Sequence, residues 1–247
     1  MVVVWSVVSA LIAAGVLATL KLSAGHLWDR CRVAADSRLI EQDMASSSWV
    51  LPYPVNLDPT ITPEWRPPDA VALAAAGRRV FSFELTSRLK KRATIRSIQA
   101  IIDSIAPTPN GTLFFAPPQG DTEKGQIGFD LTSTDLNGMI MDSGMITARK
   151  YIGDRTVELE KGQTVGFKVT VHADNNFDIR YRVRVSFSQG KDVIIDDRGQ
   201  SFRITTYPGS VQAAYTITRL SPDSTFGAYP CSWPDGCYRS FFNVRVE

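Results

Sequence analysis

The chain is predicted to be all-β: a sandwich of two antiparallel sheets, preceded by one N-terminal transmembrane helix and a short helical stalk. Three observations lead there. An uncharged apolar run of 19 residues, Val2 to Leu20, opens the sequence. From Arg79 onward, apolar and polar residues alternate with period two, as in strands that bury one face. Gly, Pro, Asn and Asp then punctuate the chain so closely that many short strands fit and βαβ units do not.

As a helix, the apolar segment (residues 1–20) would rise about 1.5 Å per residue and span roughly 28 Å, close to the hydrocarbon thickness of a bilayer. A cleaved secretory signal needs a positive segment ahead of the run, and only the amino group precedes it. The one small-x-small cleavage site, Ser23-Ala24-Gly25, lies beyond Lys21. A buried core helix would be shorter, about 10 to 14 residues. Lys21, Arg30, Arg32 and Arg38 follow the run and no Lys or Arg precedes it, so the positive-inside rule places the body in the cytoplasm. The expected location is the cell membrane, single-pass, with membrane lipid as the helix's partner.

Residues 21–48 mix Leu22, Leu27, Cys31, Ala34, Ala35 and Leu39 with charge and contain no proline, which predicts a helical stalk. Trp28 suits either the headgroup layer or a packing contact within the stalk. Residues 49–78 read as a Pro-rich linker. Pro52, Pro54, Pro59, Pro63, Pro67 and Pro68 remove backbone donors and hold their neighbours extended, so no regular element is expected. A solvated spacer has little use for Trp49, Tyr53 and Trp65, and the linker is expected to strap onto the body. The alanines of 69–77 fit helix or coil.

The β-sandwich body, residues 79–206, opens with Phe81, Phe83 and Leu85 alternating with Ser82 and Glu84. The clearest strand is Phe177 to Phe187. There Phe177, Ile179, Tyr181, Val183, Val185 and Phe187 share one face, and Asp178, Arg180, Arg182, Arg184 and Ser186 the other. Upstream, Val165, Phe167, Val169 and Val171 oppose Lys168, Thr170 and His172. With Asp174-Asn175-Asn176 between them, the two segments predict an antiparallel hairpin with one dry face. Ile95, Ile98, Ile101, Ile102 and Ile105 recur at helical spacing, but so many β-branched residues in 91–105 favour a strand. Further strands are expected at 112–115, 125–131, 138–141, 156–159, 193–195, 201–206, 213–219 and 241–246. The last two belong to a C-terminal β extension, residues 207–247.

In this order RRVFSFELTSR, ATIRSIQAIIDS, VELEKGQTVGFKVTV and FDIRYRVRVSF resemble successive core strands of immunoglobulin-like and fibronectin-type β-sandwich domains, with Glu160-Lys161-Gly162-Gln163 as an inter-strand turn. The cysteine and tryptophan spacing of antibody domains is missing. The resemblance covers residues 79–206 and implies a binding or structural role.

Composition narrows the chemistry. With 27 basic and 25 acidic residues the formal net charge is +2, so no overall field singles out nucleic acid as a partner. Three cysteines are too few for a disulfide framework,. Cys231 and Cys237 enclose Ser-Trp-Pro-Asp-Gly, a tight-turn sequence that would let them form a disulfide in an oxidising compartment. His26 and His172 are the only histidines and leave few ways to pair a nucleophile with a base; neither a Gly-x-Ser-x-Gly nor a phosphate loop occurs. Asp130, Asp135, Asn137 and Asp142 would offer oxygen ligands to calcium, but their spacing does not match the EF-hand loop and turn formation accounts for them. No catalytic, metal or cofactor residue is assigned.

Two basic features remain as candidate partner-binding surfaces. Arg88, Lys90, Lys91 and Arg92, with Arg96 nearby, suit anionic headgroups or a solvated loop. Arg180, Arg182 and Arg184 form a ladder suited to carboxylate or phosphate groups, unless acidic neighbours such as Glu158 and Glu160 neutralise it across the sheet. The expected function is a membrane-anchored, non-catalytic interaction or scaffold module that binds a protein partner or an anionic surface. The alternatives are an exported, envelope-anchored ligand-binding module with Cys231 and Cys237 bridged, and an enzyme with an unfamiliar site.

Overall fold

The computed structural model describes residues 33–40, 48–57, 73–116, 126–219 and 226–237. The apolar run at 2–20, Trp28 and the strand expected at 241–246 lie outside these residues. Among the described residues, no helix is long and apolar enough to cross a membrane.

Alternating apolar residues build two sheets. In the smaller one, Arg78–Ser87 (β4) pairs antiparallel with Thr164–His172 (β11), Phe83 lying opposite Phe167. Ala35–Ile40 (β1) flanks β4, and Ile127–Asp130 (β7), Met139–Asp142 (β8) and Met145–Lys150 (β9) follow β11 in that order. The larger sheet is centred on Ala93–Pro107 (β5) paired antiparallel with Phe177–Phe187 (β12). Glu158–Leu159 (β10) borders β5, while Val193–Ile195 (β13) and Phe202–Thr205 (β14) share the other edge of β12. Beyond β14 the sheet continues through Ala74–Ala76 (β3), Trp49–Leu51 (β2), Thr112–Phe115 (β6), Ala213–Arg219 (β15) and Phe226–Pro230 (β16).

One core fills the space between the sheets. Phe81, Phe83, Leu85, Phe129, Phe167, Val169 and Val171 enter it from the smaller sheet; Ile95, Ile98, Ile179, Tyr181, Val183, Val185, Phe202 and Ile204 enter from the larger. Phe81 stacks on Phe202 across the layers, ring centroids 4.5 Å apart. The far half of the larger sheet is buried on both faces. Leu113 and Phe115 pack with Val50, Ala76, Ala214 and Cys237, and Phe114 packs with Leu51, Leu73, Tyr215 and Ile217. Every residue of β6 is therefore buried, which is why it shows no alternation,.

The tertiary structure corrects three sequence expectations. β11 and β12 do not form a hairpin: residues 173–176 carry the chain from one sheet to the other. Each strand has one dry face, and placing them in opposite layers lets both dry faces meet in a single core. The helical stalk does not run through 35–40, which is an edge strand with Ala34 and Ala35 buried. Trp49–Leu51 and Ala74–Ala76, placed in a linker without regular structure, pair with each other inside the larger sheet; burial of Val50, Leu51 and the three alanines outweighs their proline-rich surroundings,. The strands at 145–150 and 226–230 were not anticipated.

Residues 52–57 do strap onto the sheet, held by two hydroxyls. Thr112 Oγ1 donates to Tyr53 O at 3.0 Å and accepts from the Val55 N–H at 2.7 Å. The Tyr215 hydroxyl donates to Val55 O and accepts from the Leu57 N–H, both at 2.9 Å. Gly111 lies against this strap: a Cβ there would sit 2.3 Å from Tyr53 N and 2.5 Å from Pro52 C. No rotamer change can relieve a clash with backbone. Gly111→Ala is expected to destabilise the protein by about 1–3 kcal/mol, read as a lower urea midpoint at unchanged m-value.

Candidate functional site

Alternation along β12 sends Tyr181, Val183 and Val185 into the core and leaves Arg180, Arg182 and Arg184 half-buried on the outer face of the larger sheet. The ladder is partly neutralised. Arg182 donates from Nε and Nη2 to the two carboxylate oxygens of Asp103 on β5, at 2.9 and 2.7 Å, and the Ser201 hydroxyl donates to the same carboxylate at 2.6 Å. The Arg182 guanidinium, helped by Ser201, holds the Asp103 carboxyl below the usual carboxylate range,. Arg184 Nη2 donates to Gln99 Oε1 at 2.9 Å, and its Nε lies 4.0 Å from Asp192. Arg180 stands opposite Ser104 on β5 and Arg203 on β14. Among the described residues it joins no ion pair, which leaves it the member of the ladder most available to an anionic group.

Glu158 and Glu160 are not the neutralising partners. Both pair with Arg92, at 3.0 Å each, because β10 borders β5 on the edge away from β12. Two further assignments along β12 also change. Asp178, expected outside with the arginines, is buried with Arg203, which donates from Nε to Oδ1 at 2.9 Å and from Nη2 to Oδ2 at 2.6 Å. Phe177, expected on the dry face, is 41% exposed at the end of the strand, opposite Pro107 in the exposed last stretch of β5.

The second basic feature is the loop between β4 and β5. Leu89 is fully buried and anchors it, while Arg88, Lys90, Lys91 and Arg92 are exposed around it. Arg88 pairs with Asp36 of β1. The isoleucine segment that follows is strand, as its β-branched content predicts.

The remaining candidates are accounted for locally. Asp130 Oδ1 accepts from the Thr132 N–H at 2.9 Å and its hydroxyl at 2.6 Å; Asp135 accepts from the Asn137 N–H at 3.0 Å and pairs with Lys150 at 3.1 Å. Among the described residues, no group of three or more His, Cys, Asp or Glu is placed to hold a metal ion. Cys231 and Cys237 are joined by a disulfide. The loop it closes lays Trp233 over Phe115 and Tyr207, with Trp233 Nε1 donating to Pro208 O at 2.8 Å. Nothing in the sequence marked Asp103, Gln99 or Arg203 as partners of β12. Only the register of three strands brings them to it.

His172 is half-buried beside the turn, opposite Arg78 of β4. Burial, and then the Arg78 guanidinium, push its imidazole below the usual value, against weaker pulls from Asp174 and Asp130. The folded state therefore binds this proton less readily than the unfolded chain. The corresponding stability is present above the unfolded value of about 6.5 and is lost as pH falls through the lower folded value. Thermal melts between about pH 7 and pH 5 are expected to show a steeper loss for the native protein than for His172→Gln.

Fold and surface together define an all-β protein of two packed sheets with a polar outer sheet face. Comparison of the chain with protein-family models, with curated proteins and with solved structures finds no match.

Proposed function

We propose that the chain is a single-pass, membrane-tethered β-sandwich of immunoglobulin-like type whose work is contact with a partner rather than catalysis. The observation that carries this reading is how near a sandwich contact lies to the apolar run along the chain. Val33 bridges Lys191, and β1 pairs with β4 from Ala35 onward. Val33 follows Leu20 by 13 residues (33 − 20), so that contact lies within roughly 45 Å of the run even if the chain between were fully extended. A body held that close to a bilayer meets membrane-associated partners first.

The immunoglobulin-like assignment is supported by strand placement. β4 pairs with β11 in one sheet and β5 with β12 in the other, so the β4 to β5 and β11 to β12 connections both cross between layers, as in a Greek-key sandwich,. The parallel pairs β7 with β11 and β3 with β14 depart from that pattern, as does the extension beyond β14. The arginine face of β12 and the 88–92 loop are the surfaces proposed for partner contact. Flotation of the full-length protein after a high-salt, alkaline wash tests the tether. Recovery with the membranes is the expected result, and recovery in the aqueous fraction with residues 2–20 intact overturns it.

A second reading places the same tethered body on the oxidising side of the membrane. The Cys231–Cys237 bond favours it, since disulfides persist in such compartments,, whereas the flanking basic residues favour the cytoplasmic side. A carboxyl-terminal topology reporter, with mass spectrometry under non-reducing conditions, separates the two. Free thiols would exclude the oxidising side.

A further inference from the structure

We infer that one end of the sandwich is a cationic surface that faces the bilayer and binds anionic lipid headgroups; this rests on the tether proposed above. Strand register decides which loops share that end. Ala35 lies opposite Ser87, so β1 starts where β4 ends and the 88–92 loop begins. Leu159 lies opposite Ala93 and Thr164 opposite Thr86, which brings the 160–163 turn to the same place. β12 finishes there too, Phe187 opposite Ile95. In the 188–192 loop that follows, the Ser188 N–H donates to Thr94 O and the Gln189 side chain to Arg92 O, each at 2.8 Å. The chain arriving from the apolar run reaches this end as well: Val33 bridges Lys191, and the Ala34 N–H donates to Lys191 O at 3.2 Å.

The charge at this end is net positive. Its three loops hold six basic side chains, Arg88, Lys90, Lys91, Arg92, Lys161 and Lys191, against Glu160 and Asp192, and the bordering strands add Asp36 and Glu158, so six cations meet four carboxylates. Asp36 is engaged by Arg88, and Glu158 and Glu160 by Arg92, which leaves Lys90, Lys161 and Lys191 to carry the surplus. Among the described residues, the connections that start at the opposite end, 107–111, 131–138, 173–176 and 206–212, carry only the acidic charges of Asp135 and Asp174. An anionic bilayer therefore attracts the first end and not the second. Such attraction decays within a Debye length of about 10 Å at 0.1 M salt, so it requires close approach. The tether emerging at this end supplies that approach and favours lipid over an acidic protein as the occupant.

Lysine acetylation of the full-length protein in nanodiscs, read residue by residue by mass spectrometry, tests the inference. In discs containing phosphatidylglycerol, Lys90, Lys161 and Lys191 are expected to react about fivefold more slowly than in phosphatidylcholine discs, with the difference abolished by about 1 M salt. Lys150, on β9 away from this end, is expected to react equally in both. In a Lys90→Gln, Lys161→Gln, Lys191→Gln variant, whose changes are all at exposed positions, Lys91 is expected to lose its dependence on lipid charge. Equal rates at Lys90, Lys161 and Lys191 in the two discs would overturn the headgroup contact. Failure of the protein to remain with the discs in high salt would instead overturn the tether, so the two failures are distinguishable.

Discussion

Asp178→Ala is expected to destabilise the protein by about 3–5 kcal/mol, because it removes the carboxylate that the buried Arg203 guanidinium donates to from two nitrogens,. The Asp178 and Arg203 side chains are only 9% and 10% exposed. The pair ties the start of β12 to β14 diagonally, where Thr205 Oγ1 also donates to Phe177 O at 3.2 Å. Removing both charges is a different experiment. Asp178→Leu combined with Arg203→Met exchanges an ion pair for apolar contacts, and its cost is expected to be well below that of Asp178→Ala alone. Urea unfolding of the three proteins, followed by circular dichroism, checks the ordering; equal losses in the single and double variants would show that the buried charge is not what matters.

Phe83→Ala is expected to cost a similar amount, about 3–5 kcal/mol, through a different mechanism. Phe83 is completely buried at the centre of the smaller sheet, stacked on Phe167 at 5.1 Å and opposite Leu39 of β1. Truncation removes its burial and leaves a cavity that two paired strands cannot close without breaking register. Phe83→Leu keeps most of the volume and is expected to lose clearly less. The same unfolding measurement decides it. A loss for Phe83→Ala no larger than that for Phe83→Leu would mean that the sheets collapse onto the site.

The strands most legible in the sequence are those with one wet face. Phe81, Phe83 and Leu85, and the run from Ile179 to Phe187, show period two because water on one side and core on the other impose it. The strands that escaped notice lack such a contrast. β3 is three alanines buried together, β2 sits among prolines, and β9 is mostly exposed. Asp178 was misplaced for a related reason: its position has outward parity, but the exposure of that position depends on what covers the sheet there. The arginine ladder was legible as a set of residues, and its chemistry was not. Asp103 and Gln99 precede Arg182 and Arg184 by some eighty residues, 79 and 85 apart.

By itself the sequence determined an all-β body, the inward faces of its best strands away from their ends, and two clusters of cations, because each follows from local periodicity and charge. Only the tertiary structure decided that β11 and β12 separate into different layers, that 33–40 and 49–51 join the sheets, and that Lys161 and Lys191 gather beside the 88–92 loop. Those outcomes depend on which strand lies next to which, and pairing between distant segments is settled by the joint burial of whole faces, a quantity no single segment carries.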